Sequence, residues 1–426
     1  MKAVFLLICF IISSFLSAQT KQYDPASYFK EIRDETRKHT SLWDIDLYGP
    51  ILLVDPETRQ LFANEPDSAG SLQPIESGYS GILPKDVNIA NTSIRWNGRN
   101  WAMILLPLSA DKNDRINLMA HELFHVSQPS LGFQLFNSEN NHLDKKEGRI
   151  YLRLELEALK KALLSSSNAE MKEHLTNAMI YRQFRYMIYP EADKTENLLE
   201  LNEGLAEYTG SEISGRSKKL TLEHFLKSID DFMNNPTFVR SFAYQTIPVY
   251  GYLVKKFKKN WNKNITLNSN LTEYFRKAFE LDLPMDIRDK ADRLIKLYNG
   301  EKIISEEAAR EERTLAQIAS YKDKFITQPH LEIRFEMMNV SFDPRNIVPV
   351  EDKGTVYPNI RVTDNWGILT VENGALMGAN WDRISVSLPL KTEGNLVTGD
   401  GWTIEVKEGY SLVKDNLTGN YTLIKK

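Results

Sequence analysis

The pattern of residues along the chain predicts an α+β protein with three textures in order. Short strand-like runs separated by turn residues, with one helix, occupy positions 19–110. From 111 to 325 apolar residues recur almost throughout at helical spacing. From 330 to 426 they alternate or gather in β-branched runs, with Asn-Gly at 373–374 and Asp-Gly at 400–401 as turn signals. The chain has 426 residues, enough for two or three domains.

In the first region "SYFKEIRDETRKH" reads as a helix, and "GPILLVD", "QLFANE", "NTSIRW" and "WAMILLPL" read as strands. The last is apolar on both faces, the signature of a covered strand. In the helical region "RIYLRLELEALKKALL" and "EMKEHLTNAMIYRQFRYMIY" carry long apolar stripes, followed by "LEHFLKSIDDFM" and "MDIRDKADRLIKLY". "HLEIRFEMMNVSF", "WGILTVENGAL", "RISVSLPL" and "GWTIEVKEGYSLV" predict a small antiparallel sheet domain at the end. Its Trp366, Trp381 and Trp402 read as fillers of a small β core rather than a binding surface.

The first eighteen residues, "MKAVFLLICFIISSFLSA", have one lysine, an apolar run and small residues at the end. They read as a secretory signal cleaved after Ala18, which implies a secreted or periplasmic protein. Cys9, the only cysteine, lies within this segment, so the mature chain is expected to form no disulfide. No later stretch approaches eighteen consecutive apolar residues, so no transmembrane segment is expected after signal removal. A net charge of −4, spread along the chain, argues against a nucleic-acid partner, and the basic run "KKFKKNWNK" reads as a solvated helix face. No obligate protein partner is evident.

The chemistry concentrates in "NLMAHELFHVSQP", residues 117–129. Asp111 or Asp114 can cap a helix that ends near Gln128, before Pro129. On it Ile116, Met119, Ala120 and Leu123 form one apolar stripe, and His121, Glu122 and His125 project from the other side. The two imidazoles, one turn apart, can meet one metal ion. Phe124, Val126 and Leu118 make the helix apolar nearly all round, which predicts burial, and two buried imidazoles need partners. Glu122 lies beside such an ion without ligating it, the position of a general base for water. A catalytic zinc takes three protein ligands, and "ELNEGLAEYTG" at 200–210 offers glutamates at 200, 203 and 207. Glu155 and Glu157 are rival carboxylates.

"HELFH" followed downstream by "NEGLAEY" resembles the gluzincin zinc metallopeptidases, and the second motif is close to the Asn-Glu-Gly-aromatic-Ala pattern of their aminopeptidase members. The resemblance spans about residues 95–255 and implies a gluzincin-like core, with 19–110 as the N-terminal part of the catalytic unit and 111–325 as its zinc-binding helical part. It implies one Zn2+ per chain held by His121, His125 and Glu203, with Glu122 as catalytic base and a peptide or protein as substrate. In thermolysin-like members a carboxylate one turn past the glutamate ligand supports a ligand histidine, which points to Glu207. Tyr244, on a helix downstream of the glutamate motif, is the candidate donor to the oxyanion. A strand preceding the histidine helix borders the cleft in this group, and "WAMILLPL" occupies that place as an expected exposed edge.

Two departures limit the transfer. Glu203 stands 78 residues after His125, far beyond the gap of those families, and no "GxMEN"-like segment is present, so aminopeptidase specificity does not carry over. The alternatives are a zinc amidase or esterase of another kind, or a non-catalytic secreted binding protein that keeps the fold.

Overall fold

The computed structural model describes residues 23–84, 87–133, 140–342 and 347–426. The expected signal segment 1–18, with Cys9, lies outside them. The chain is α+β, as its patterning predicts, and divides into two compact units. One runs to Ser127 and includes Ile213–Gly215; the other holds the remainder.

The first unit is built on a six-stranded mixed sheet. Its strands are β1 (Ile51–Val54), β2 (Gln60–Ala63), β3 (Gln73–Ile75), β4 (Gly78–Ile82), β5 (Thr92–Trp96) and β6 (Arg99–Leu105), in the order β3-β4-β2-β1-β6-β5. β1 and β6 pair in parallel, and every other pairing is antiparallel. Residues 51–54 of β1 and 101–104 of β6 are fully buried, so both faces of the sheet centre are covered. By the alternation of a strand, Leu52, Val54, Trp101 and Met103 share one face, where they join Leu61 and Leu83 in a core. Ile51, Leu53, Ala102 and Ile104 share the other face.

Two helices complete this unit. The helix α1 (Pro25–Lys38) begins on Asp24, whose carboxylate accepts the Ser27 N–H at 3.1 Å, with Pro25 in the first turn. The helix α2 (Lys112–Ser127) packs on β5 and β6 and on α1. Asp111 is its cap: Oδ1 accepts the amides of Asn113 at 2.7 Å and Asp114 at 3.1 Å. Arg115 of α2 clasps Glu31 of α1 with two bonds of 2.6 Å. One expectation is overturned here. β6 is not an exposed edge, because β1 flanks it on one side and β5 on the other. The edge strands are β5 and β3, and order in the chain does not reveal which neighbours a strand acquires.

The second unit starts with helices α3 (Lys146–Leu164) and α4 (Asn168–Ile188), which pack closely along each other. α5 (Ala192–Leu199) runs through a π-helical segment, Glu200–Gly204, into α6 (Leu205–Ile213), whose last residue belongs to the first unit. There follow α7 (Lys218–Phe232), α8 (Ala243–Val254), α9 (Leu271–Ala278), α10 (Ile287–Leu294) and α11 (Gly300–Lys322). Pro248 lies inside α8. Arg149 and Arg153 of α3 both bind Glu307 of α11 at 2.7 Å, fixing that long helix near its start.

From His330 onward the described chain is strands joined by turns, in one seven-stranded and one six-stranded sheet. The pairings are antiparallel except that of Tyr421–Lys425 with His330–Arg334. The 330–342 run splits: His330–Arg334 joins the larger sheet and Asn339–Phe342 the smaller. Asp400 and Gly401 close a two-residue hairpin in which Gly399 pairs with Trp402 and Gly401 takes φ +70°. Asn373-Gly374 instead links strands of different sheets. Trp366 and Trp402 fill the core of this region, while Trp381 is 42% exposed beside Phe342 and Tyr357. Phe325, in the π-helical segment Asp323–Thr327 that follows α11, packs with Val350, Val356 and Leu376.

Candidate metal centre

The histidine pair sits in a buried stretch. Ile116, Met119, Ala120, Leu123 and Phe124 of α2 have no exposure, and His121, Glu122 and His125 have 4%, 4% and 7%. Burial on all sides follows from a helix apolar nearly all round. The Nε2 atoms of His121 and His125 are 3.0 Å apart, with the rings inclined at 71°. At that distance one ring N–H can donate to the other ring's nitrogen, and with both rings deprotonated there the two nitrogens could share one cation.

The second motif explains its own geometry. Leu205 N–H donates to Glu200 O, an i→i+5 bond that marks the π turn. Gly204 permits the close approach of α8. A Cβ there would lie 2.6 Å from Ile247 Cγ1 and 3.3 Å from the Ala243 carbonyl. With the backbones this near, α8 reaches both glutamates of the turn. Tyr244 donates its hydroxyl to Glu203 Oε2 at 2.5 Å, and Thr246 donates to Glu200 Oε1 at 2.6 Å. Asn202 Nδ2 lies 3.2 Å from Glu203 Oε1.

Glu200 and Glu203 then part company. Glu200 is fully buried in a charged network, bound by Arg182 through Nη2 at 2.7 Å and Nη1 at 3.0 Å. Arg182 also donates to Glu155 at 2.8 Å, while Arg185 binds Glu196 at 2.7 and 2.8 Å and stands 2.9 Å from Glu155. His142 meets Glu196 at 2.7 Å, and Tyr250 donates to Glu155 at 3.0 Å. Burial would push Glu196 up, but the Arg185 guanidinium outweighs it and brings the carboxyl down to about 2. For Glu200 burial wins over Arg182 and Thr246, and its pKa is raised.

Glu203, only partly buried, groups instead with His121 and His125. One ligand atom from each of the three lies within 4.8 Å of the others, and the group can hold a metal ion. It is the only such cluster of three or more metal-ligating side chains among the described residues. Two imidazole nitrogens and one carboxylate oxygen are a donor set that zinc accepts. The rival carboxylates are engaged elsewhere: Glu155 with the two arginines, Glu157 with Lys160 and Asn299. Glu207 follows Glu203 by one helical turn and is partly buried. Tyr208 packs on Trp261, with ring centroids 4.8 Å apart, as an aromatic of the core.

Gln128 and Thr246 take part in this architecture without any sequence signal of their own, since only tertiary contact reveals them. The chain matches no protein-family model, no curated protein and no solved structure with which it was compared. Among the described residues no helix is long and apolar enough to cross a membrane.

Proposed function

We propose that the protein is an exported zinc-dependent peptidase, belonging to the gluzincin group that its two motifs resemble. The observation that carries this is the grouping of His121, His125 and Glu203, on which a bound zinc ion would supply Lewis-acid activation of water and of a scissile carbonyl. Glu122, buried beside the first histidine, takes the proton from the attacking water and passes it to the leaving amine. Tyr244 orients Glu203 by donating its hydroxyl to the carboxylate, and it serves a developing oxyanion only by turning that one proton away from Glu203. By the resemblance, Glu207, one turn beyond Glu203, would support a ligand histidine. The sheet places no free edge at β6, so an extended substrate that adds a strand would have to use an edge strand, β5 or β3.

The test pairs elemental analysis of dialysed protein with hydrolysis of a peptide library. About one zinc per chain is expected in the wild type and little in Glu203→Ala. Glu122→Gln should keep its zinc and lose roughly 10²–10⁴-fold in turnover. Wild-type protein that takes up no zinc would end this reading. Zinc-loaded protein that cleaves simple esters or non-peptide amides but no peptide would change the substrate class.

A further inference from the structure

We propose that Gln128 is a positioning residue for Glu203, an inference that rests on the metal-centre reading above. Gln128 is the residue directly after α2, three positions beyond His125, and it is fully buried. Its Nε2 donates to the main-chain carbonyl of Asn202 at 3.0 Å. Its own carbonyl accepts the amides of Leu131 at 3.1 Å and Phe133 at 2.9 Å, so the side chain is launched from a closed turn.

The Asn202 carbonyl lies within the π segment, where i→i+5 bonding replaces the regular helical ladder. That carbonyl and the Glu203 N–H belong to one planar peptide unit. Holding the oxygen therefore fixes the plane from which the Glu203 Cα–Cβ bond departs. Tyr244 and Asn202 Nδ2 act on the carboxylate end of the same residue. Glu203 is thus held at its head by side chains and at its root by Gln128. A ligand fixed at both ends loses less freedom on taking up a metal, which is how supporting hydrogen bonds raise metal affinity.

The experiment measures zinc dissociation constants by chelator competition at 20 °C for the full chain, wild type beside Gln128→Met and Gln128→Glu. Both variants are close to glutamine in size; methionine removes the donor, and glutamate removes it once ionised, so zinc binding is measured at pH 8. Zinc binding 10- to 100-fold weaker in each is expected, with the metal-free proteins still unfolding cooperatively in urea. Amide hydrogen exchange at Glu203 and Gly204 should also quicken in the metal-free variants. A lowered urea midpoint with unchanged zinc affinity would make Gln128 a structural residue only and overturn the proposal. If Gln128→Met does not fold, Gln128→Glu and the exchange data decide alone. Absence of zinc binding in the wild type would instead overturn the metal-centre reading, and this inference with it.

Discussion

Glu200 and Glu203 stand three residues apart on one turn, yet they serve two clusters of opposite logic. Around Glu200 every buried carboxylate meets a guanidinium: Glu155, Glu196 and Glu200 share Arg182 and Arg185. Around Glu203 the residues brought together are two imidazoles and one carboxylate, a group that could hold a metal ion and that contains no permanent cation. The first cluster sets three carboxylates against two guanidiniums within the protein; the second groups side chains that could take up a metal ion. Internal pairing of this kind mainly specifies structure, whereas convergence of ligand atoms points to chemistry.

The sharpest way to break this comparison is to remove a charge from each side. Arg182→Met leaves Glu155 and Glu200 buried with their main partner gone, and should cost about 3–5 kcal/mol in urea unfolding. Glu203→Gln in metal-free protein should change stability by less than about 1 kcal/mol. Equal losses would mean that both clusters are structural. A second effect is expected with pH. Glu196 is held near 2 in the folded state against 4.5 for an ordinary glutamate. Its contribution is therefore fully present above pH 4.5 and lost as pH falls towards 2, an effect of roughly 2–3 kcal/mol. Glu200 works in the other sense, because its raised pKa removes stability as pH rises through the folded value. Urea midpoints measured from pH 5 to 2 should show the acid-side decline in the wild type and a smaller decline in Glu196→Gln, the remainder coming from Asp55 and Asp67, which are also held down to about 2. The smallest effect belongs to Tyr244→Phe, which leaves the ligand set intact. Zinc affinity should fall by about tenfold or less while the metal-free protein keeps its urea midpoint. A change in midpoint alone would make the Tyr244 bond structural.

Much of this was legible in the sequence because it is local. His121, Glu122 and His125 lie within five residues, and helical pitch alone brings the two rings together. The α+β order was legible for the same reason, since each texture runs for many residues. What could not be read depends on distant partners. Nothing in "ELNEG" tells Glu200 from Glu203; the distinction comes from Arg182, on another helix. β3 and β4 escaped because "QPI" and "GYSGI" lack apolar alternation, and their residues are exposed or half-buried. The internal position of β6 required the partners on either side. Assignment of Glu203 leaned on the likeness of a motif rather than on any property of the residue.

The π turn carries a consequence for the spacing of mutations that insert or delete residues. In an α-helix, three positions return a side chain to within about 60° of where it began. The wider turn, with roughly 4.4 residues per turn, opens that angle to about 110°. The two glutamates can diverge because of this angular gain, and it comes from a single surplus residue. Side-chain substitutions can tune either cluster by degrees, but a change of one residue in length is a discrete step. Loss of Leu201 would return the segment to ordinary pitch and leave the two glutamates two positions apart, about 160° around the helix, on nearly opposite faces. The two carboxylates would then lose the angular relation they have now, and Glu200 and Glu203 could not both keep their present directions. The length of "ELNEG" is therefore as much a determinant of this protein as the identity of its letters.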